Sequence, residues 1–287
     1  MLIAQATDLH IGFHQGQPVD PNLERFRLVL DRLIHGPDRP DMLLLTGDIT
    51  ENGDATSYAA LAEVLADCPF PVWPIPGNHD SRTALVAAFP QVQQVSQAAQ
   101  DGVFMHYVID ADRLRIVMLD TLEEGRHGGA FCEPRAYWLA EILAAKPDTP
   151  TIIALHHPPV GVGIAWMDPN PAEPWIARLG AVIAGQAQVR AMICGHVHRP
   201  VSATFAGVPL LVCPATSAGL ALNLSPIDPA KADGRAMLVD DLPGFALHRW
   251  HGQNLSSHFA NAPDAPAVAV YDSKFQKLVG HLADERG

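Results

Sequence analysis

Apolar and polar segments alternate along the first two hundred residues in a rhythm of strands and helices. Apolar side chains recur near helical spacing in four segments, so we predict helices over 21–35, 55–66, 134–145 and 175–184. Short apolar runs before, between and after them predict strands over 2–4, 42–45, 72–75, 103–110, 114–119, 151–155 and 192–194. The strands over 103–110 and 114–119 are expected to turn at 111–113.

After residue 198 the pattern changes to strands joined by turns, predicted over 201–205, 209–213, 235–239 and 245–250. Strands that alternate with helices and then give way to further strands favour a layered α/β sandwich over a Rossmann domain, which is also an α/β fold. The expected architecture is a four-layer α/β/β/α sandwich, in which two stacked mixed sheets are flanked by helices. The segment 220–233 is predicted to be a loop.

The chain is expected to divide into a catalytic domain over residues 1–252 and a C-terminal extension over 253–287. In the extension, residues 268–271 predict a short strand and 273–283 a short helix. The extension is interpreted as a cap over the site, an oligomerisation element, or a cover for a sheet edge, and the sequence leaves these alternatives open.

Five short polar clusters stand where predicted strands end: Asp8-Leu9-His10, Gly47-Asp48, Gly77-Asn78-His79-Asp80, His156-His157 and Gly195-His196-Val197-His198. Carboxylates, imidazoles and an amide oxygen suit divalent metals such as zinc, manganese, iron or cobalt. Ligands of open α/β sheets bind just beyond the carboxyl ends of the strands. The five clusters therefore predict one shared metal site.

Each cluster taken alone has an ordinary structural alternative. An Asp-x-His pair is also a helix cap beside a surface histidine, and Gly47-Asp48 also opens a loop. The pair of imidazoles in His196 and His198 is the strongest single element. His157 receives no metal role, and Asp80 is interpreted as a turn former.

Composition narrows the classes of function. With 48% hydrophobic and 17% charged residues, the 287-residue chain is an ordinary globular one. Its net charge of −12 argues against binding nucleic acid polymers or anionic membranes, but not against a small phosphorylated substrate, because bound cations reverse the local charge. No stretch is long and apolar enough to span a bilayer.

The positions of the first cluster and of the cysteines bear on the cellular compartment. Asp8 and His10 lie so close to Met1 that a cleaved signal peptide would remove them, so a cytoplasmic location is expected. The four cysteines lack C-x-x-C spacing and predict buried free thiols, although a structural disulfide stays open.

The ordered set D-x-H, G-D, G-N-H-D, H and G-H-x-H resembles the calcineurin-like metallophosphoesterase superfamily over about residues 1–250. Within it the chain resembles the bacterial class III cyclic-nucleotide and glycerophosphodiester phosphodiesterase branch. The protein-phosphatase branch carries Asp-Arg-Gly after its G-D, whereas Ile49-Thr50-Glu51-Asn52-Gly53 follows Asp48 here.

The resemblance implies two metal ions, drawn from iron, manganese, zinc and cobalt. It implies that one ion is held by Asp8, His10 and His198, and the other by Asn78, His156 and His196. Asp48 would bridge the two ions, and His79 would be a catalytic residue that binds no metal and lies beside the substrate phosphate. The resemblance further implies a homo-oligomer, a dimer or higher.

The expected activity is metal-dependent hydrolysis of phosphodiester bonds in small molecules, namely cyclic nucleotides or glycerophosphodiesters. A hydroxide that bridges the metals would attack phosphorus while His79 stabilises or protonates the departing alkoxide. A phosphomonoesterase and a non-catalytic, metal-stabilised binding protein are the alternatives. Loops near Phe13, Arg126 and residues 160–170 are expected to face the substrate, with His14, Asn22 and His127 as candidate contacts.

Overall fold

Two mixed β-sheets stack against each other and carry helices on their outer sides. The computed structural model describes residues 1–14, 16–17, 19–92, 104–111 and 113–285. Its strands are β1 Leu2–Ala6, β2 Met42–Thr46, β3 Val72–Ile75, β4 Tyr107–Ala111, β5 Leu114–Leu119, β6 Thr151–Leu155, β7 Val189–Cys194, β8 Val201–Phe205, β9 Val208–Val212, β10 Gly219–Leu220, β11 Leu238–Val239, β12 Gly244–His251 and β13 Asn254–Asn261. Its helices are α1 Pro21–His35, α2 Ala55–Leu65, α3 Arg82–Ala88, α4 Glu133–Ala145, α5 Pro174–Ile183 and α6 Ser273–Asp284.

The first sheet has the strand order β13-β12-β1-β2-β3, and the second has the order β4-β5-β6-β7-β9-β8. In the first sheet β1, β2 and β3 are parallel, whereas β12 and β13 are antiparallel to their neighbours. In the second sheet β5, β6, β7 and β9 are parallel. Parallel neighbours place their carboxyl ends at the same edge, which is where the polar clusters follow.

Two hydrophobic cores separate the layers, and the strands of the second sheet supply side chains to both. In β5, Ile116 and Met118 belong to the core shared with the first sheet and with α1 and α2. Val117 and Leu119 belong to the other core, which α4 and α5 cover. Successive side chains of a strand point to opposite faces, so an apolar run buried on both faces is what a sheet between two layers requires.

Helix α1 begins with a capping residue and a proline, close in the sequence to the first polar cluster. The Asp20 carboxylate accepts a hydrogen bond from the main-chain nitrogen of Asn22 at 2.9 Å, and Pro21 occupies the first turn. Both features are typical of a helix start. Phe26, Leu30 and other residues on one side of α1 are buried against the first sheet.

The α/β sandwich and the predicted helices are confirmed, with helix ends displaced by a residue or so. The strand predicted over 235–239 is too long. Only Leu238–Val239 forms a strand, and it pairs with β10. The strand predicted over 268–271 is wrong, since this segment is exposed and joins no sheet. Residues 103 and 112, part of the predicted strand and turn, lie outside the described residues.

Three elements were not predicted: α3, β13 and the two-residue strand β10, whose Leu220 falls in the predicted loop over 220–233. Strand β13 pairs along its whole length with β12, so the eight residues from Asn254 complete the first sheet. The division at residue 252 stays a prediction for the rest of the extension. Within the described ranges, no helix combines the length and apolar character needed to cross a membrane. All four cysteines are free, with Cys194 and Cys213 buried and the other two partly buried.

Candidate metal centre

The five polar clusters meet at the carboxyl ends of β1, β2, β3, β6 and β7, and hydrogen bonds join their main chains. The main-chain nitrogen of Asp8 donates to the Gly47 carbonyl at 3.0 Å, and that of Gly195 donates to the His156 carbonyl at 3.1 Å. The main-chain nitrogen of His196 lies 3.0 Å from both carboxylate oxygens of Asp8, which links the two sheets. The predicted convergence of the clusters is therefore present in the fold.

Five of the predicted ligands adopt left-handed backbone conformations, with φ of 52° at Asp8, 48° at His10, 46° at Asp48, 72° at His196 and 53° at His198. Such conformations are uncommon outside glycine and persist where the surrounding structure imposes them. Glycines beside them allow close approach: a Cβ on Gly47 would meet the His156 ring, and one on Gly195 would meet the Thr7 hydroxyl. The backbone thus turns these side chains out of the strand direction and into one space.

Three of the predicted histidine ligands have Nδ1 held by an oxygen atom. Nδ1 of His156 lies 2.8 Å from the Thr46 carbonyl, and Nδ1 of His198 lies 2.8 Å from the Ala218 carbonyl. A carbonyl only accepts hydrogen bonds, so Nδ1 carries the hydrogen, and Nε2 presents its lone pair whenever the ring is neutral. Nδ1 of His10 lies 2.7 Å from the Glu51 carboxylate, which fixes this ring in the same way.

The free Nε2 atoms face each other and the carboxylates. Nε2 of His10 lies 3.2 Å from Nε2 of His198, which in turn lies 3.4 Å from an Asp8 oxygen. The same Asp48 oxygen lies 3.7 Å from Nε2 of His10 and 3.2 Å from Nε2 of His156. Lone pairs and negative charges at these distances repel each other unless a cation or proton lies between them.

Buried polar atoms without hydrogen-bond partners occur in the second predicted ligand group, which contains Asn78, His156 and His196. The side-chain oxygen of Asn78 and Nε2 of His156 are buried and have no hydrogen-bond partner among the described residues. Ring nitrogens of His156, His157 and His196 lie within 4.8 Å of one another, as do the donor atoms of Asp8, His10 and His198. Buried polar groups without partners are rare, and metal coordination would satisfy these. The donor set present therefore fits the metal ions that the resemblance implies.

The charges of the site are coupled through Asp48. Burial opposes the charged form of His156, but the Asp48 carboxylate outweighs it and raises the pKa of His156 to about 9. Burial likewise opposes ionisation of Asp48, yet His156 and other imidazoles hold the pKa of Asp48 well below its usual range. Burial and the neighbouring rings of His157 and His156 lower the pKa of His196, which keeps it a neutral donor suited to a metal.

His79 lies beside this donor set with a free ring edge. Its main-chain nitrogen donates to the second Asp48 oxygen at 2.9 Å, and its Nδ1 lies 3.0 Å from the Glu51 carbonyl. Nδ1 therefore carries a hydrogen, and Nε2 makes no hydrogen bond to the part of the chain that the structure describes. The ring is partly exposed and lines the cavity above the site. A ring nitrogen of His79 also comes within 4.8 Å of the donor atoms of His10 and Asp48.

Asp80 joins the loops that carry Asp48 and Asn78. Its buried carboxylate accepts hydrogen bonds from the main-chain nitrogens of Ile49 at 3.1 Å and Gly77 at 2.9 Å, and from the Tyr58 hydroxyl at 2.7 Å. Burial and the nearby Asp48 charge raise the pKa of Asp80. The carboxylate makes no hydrogen bond to His79, which favours the interpretation of Asp80 as a structural turn residue.

Glu51 is a residue that the sequence reasoning missed. Its carboxylate orients His10, and its main-chain carbonyl orients His79. A carboxylate three residues after Asp48, in the same loop, was the available signal. Such a signal is weak, because acidic residues in loops most often face solvent.

The three candidate substrate contacts all line a cavity of about 270 Å³ that opens above the predicted metal ligands, together with Phe13 and Trp166. His14 and His127 reach it from loops, and the His127 ring lies 4.7 Å from that of His196. The amide of Asn22 donates to the His10 carbonyl at 2.9 Å, so this side chain holds the loop of a predicted ligand. Arg126 and residues 160–170 line a second cavity beside the first.

Comparison with known proteins bears on this arrangement. Over 262 residues the chain is 29% identical to a probable glycerophosphodiester phosphodiesterase GpdQ of Arcobacter nitrofigilis, covering 90% of this chain and 92% of the relative. It is 29% identical to the 3′,5′-cyclic adenosine monophosphate phosphodiesterase CpdA of Escherichia coli, covering 75% of each. A cAMP/cGMP dual specificity phosphodiesterase of Mycobacterium tuberculosis is 35% identical, over 67% of this chain and 59% of the relative.

Solved structures agree on the fold. A dimetal phosphatase from Danio rerio superimposes with a TM-score of 0.65 at 15% identity, covering 91% of this chain and 96% of the other. The family model described as calcineurin-like phosphoesterase matches residues 1–200, a span that contains all five polar clusters. The chain belongs to the calcineurin-like phosphoesterase family.

Proposed function

We propose that this protein is a metal-dependent hydrolase of small phosphodiesters, with two ions held by seven ligands. The observation that carries the proposal is the meeting of the Nε2 lone pairs around the Asp48 carboxylate, at the base of a cavity of about 270 Å³. When bound, two cations acidify water and stabilise negative charge on phosphate oxygens.

The ligands divide into two groups around Asp48. Asp8, His10 and His198 would hold one ion, because their donor atoms cluster and their rings are fixed through Nδ1. Asn78, His156 and His196 would hold the other, since this half contains the unsatisfied amide oxygen and ring nitrogen. Mixed nitrogen and oxygen donors suit iron, manganese, zinc or cobalt.

His79 is positioned to act on the leaving group. In its protonated form the ring carries a hydrogen on Nε2 as well as on Nδ1, and only Nδ1 is engaged, by the Glu51 carbonyl. As the water oxygen bonds to phosphorus and the ester bond breaks, the departing alcohol oxygen takes the hydrogen from Nε2, and the proton that the attacking water loses restores the Nε2–H. General acid catalysis of this kind contributes about 10²–10⁴ in rate.

The cavity favours diesters over monoesters. Among the described residues that line it there is no lysine or arginine, and Glu51 adds an acidic group. A phosphodiester carries one negative charge, whereas a monoester carries close to two at neutral pH. Without further cationic side chains, the second charge of a monoester is poorly neutralised here.

The test uses bis(p-nitrophenyl) phosphate and manganese with the purified chain. We expect His79→Ala to lose about 10²–10⁴ in kcat while elemental analysis shows unchanged metal content. The matched control is His35→Ala, an exposed histidine at the end of α1, which should behave as wild type. Absence of turnover by the wild-type protein loaded with metal would favour a non-catalytic binding protein. Faster hydrolysis of p-nitrophenyl phosphate would favour the monoesterase.

Cyclic nucleotides and glycerophosphodiesters are the substrate classes that we propose, following the activities for which the relatives are named. We also propose a homo-oligomer. Helix α6 supports this, since its apolar residues Leu278, Val279 and Leu282 are 41–50% exposed and none of its residues is buried. An exposed apolar face of this kind commonly marks an interface.

A further inference from the structure

Gln5 is a fully buried polar residue of β1 whose side chain lies between the two sheets. Its amide nitrogen donates to the Thr46 hydroxyl at 2.8 Å, at the end of β2 in the first sheet. The same nitrogen donates to the Cys194 carbonyl at 3.0 Å, at the end of β7 in the second sheet. One side chain thus joins the two sheets at the edge where the polar clusters follow.

The two residues that the amide nitrogen contacts come shortly before predicted metal ligands. Thr46 stands two residues before Asp48, and Cys194 stands two residues before His196. The Thr46 carbonyl also lies 2.8 Å from Nδ1 of His156. Asp48 follows a strand of the first sheet, whereas both histidines follow strands of the second. The distances between these donors therefore depend on how the two sheets are joined.

The surrounding hydrogen bonds fix the orientation of the Gln5 amide. A carbonyl only accepts, so the group that faces Cys194 is the NH2 group, and both of its hydrogens are used. The amide oxygen lies 3.0 Å from Nε2 of His248 in β12, which must then be the donor. Burial and the nearby His258 lower the pKa of His248 to about 4, so at neutral pH its ring is neutral and Nδ1 accepts from the Ser257 hydroxyl of β13 at 2.7 Å.

The hydrogen bonds of Gln5 use no atom of a predicted ligand. By contrast, the bonds from the main-chain nitrogen of His196 to the Asp8 carboxylate use oxygen atoms that a metal ion would also need. The Gln5 bonds are therefore compatible with both the metal-free and the metal-bound centre. A buried polar network whose members are satisfied makes its surroundings rigid, which an apolar side chain of the same size does less well.

We infer that Gln5 is a positioning residue for the metal centre, which fixes the distance between the ligand-bearing strand ends of the two sheets. His248 and Ser257 hold its amide in the required orientation. This inference rests on the proposed metal-dependent hydrolase and deepens it, because it assigns the side chain that keeps Asp48 and His156 at the separation the metal ions require. Gln5 itself touches neither the substrate nor the predicted ligand side chains.

The test measures cobalt binding to metal-free wild type and to metal-free Gln5→Met by isothermal titration. Methionine is an unbranched side chain of similar length, but it has no N–H donor. Partners that orient metal ligands contribute about 10- to 100-fold to metal affinity, and we expect the cobalt dissociation constant to rise by about tenfold. The visible absorption spectrum of bound cobalt depends on the ligand geometry and should also change at saturating cobalt.

A second variant, Thr46→Val, removes only the hydrogen bond in the first sheet. The main-chain carbonyl that holds His156 stays in place. We expect the cobalt dissociation constant to rise by about two- to fivefold, the effect of one neutral hydrogen bond. This variant tests the inference even if Gln5→Met does not fold, and wild-type affinity in Thr46→Val would count against it.

The matched control is Gln188→Met, the same substitution at another buried glutamine. The amide nitrogen of Gln188 donates to the Leu143 carbonyl at 3.3 Å, and the residue directly precedes β7, at the opposite end of that strand from the polar clusters. This variant should lower the free energy of unfolding in urea but leave the affinity for cobalt and the cobalt spectrum as in wild type.

Unchanged cobalt affinity and spectrum in Gln5→Met, or an equal loss of affinity in Gln188→Met, would overturn the positioning role. Wild-type protein that binds cobalt but hydrolyses no bis(p-nitrophenyl) phosphate would refute the proposed function alone. The two failures are distinguishable, because the test of Gln5 measures metal binding and needs no turnover.

Discussion

Glu51 offers a test of whether a carboxylate next to a predicted metal ligand increases the metal affinity. Its carboxylate lies 2.7 Å from Nδ1 of His10. Burial opposes protonation of His10, but the Glu51 hydrogen bond and the Asp48 charge together raise the pKa of His10 above its ordinary value. A carboxylate on Nδ1 makes Nε2 a stronger donor and fixes the ring orientation, so it should strengthen metal binding.

We therefore predict that Glu51→Gln weakens metal binding without removing the fold. The amide oxygen can still accept from Nδ1, so the geometry is kept while the charge is lost. Partners of this kind contribute about 10- to 100-fold to metal affinity, which corresponds to about 1.4–2.8 kcal/mol. Isothermal titration of the metal-free protein with manganese or zinc measures the change directly.

A second readout separates this role from general damage. His79 is hydrogen-bonded by the main-chain carbonyl of Glu51, which the substitution leaves in place, and the Glu51 carboxylate lies 3.6 Å from Nδ1 of His79, beyond hydrogen-bond distance. At saturating metal, kcat should therefore stay close to wild type while the metal concentration needed for activity rises. Glu63→Gln, the same change on the exposed side of α2, is the matched control. Equal metal affinities in the two variants would refute the reasoning.

Three further predictions concern stability, pH and assembly. Asp80→Asn should lower the free energy of unfolding by about 2–3 kcal/mol in urea titrations, because hydrogen bonds to a charged group are lost, and an unchanged midpoint would contradict this. In metal-free protein, the pKa of His156 is about 9, above the value near 6.5 expected in the unfolded chain. The pairing of His156 with Asp48 therefore stabilises the fold fully below about pH 6.5, and this stabilisation is lost as the pH rises through about 9. Urea unfolding across that range should show the loss, and His156→Ala should not. The double variant Leu278→Lys and Leu282→Lys should elute as a monomer in size-exclusion chromatography with light scattering, and an unchanged mass would argue against α6 as the interface.

The predicted ligands come together because their clusters follow strands that clear apolar runs in the sequence predict. The apolar run of β6, for example, is buried on both faces and ends at His156. Parallel pairing then brings His156 beside His196, which follows β7. Once the strands and their direction are known, the position of the predicted metal centre follows from the topology.

The parts that could not be predicted depend on tertiary contacts. In β13 the side chains are mostly exposed, so Asn254–Asn261 shows no apolar run, and its pairing with β12 defines it instead. The role of Glu51 depends on His10, which lies 41 residues away in the sequence. The segment 235–239 looked apolar enough for a strand, but only Leu238–Val239 finds a partner, in the short β10.

The left-handed backbone at the predicted ligands explains how the chain keeps ring nitrogens close together although their lone pairs repel each other. Nε2 of His10 and Nε2 of His198 lie 3.2 Å apart with lone pairs facing each other, which the side chains alone would avoid. Both residues have positive φ, and the main chain of His10 is fixed by a 3.0 Å hydrogen bond to the Asp48 carbonyl. The ligand positions are thus set by backbone that packs between two buried sheets, and a cation that enters finds its donors already in place. Such preorganisation lets the binding energy of the metal go into affinity, because little of it is needed to order the loops.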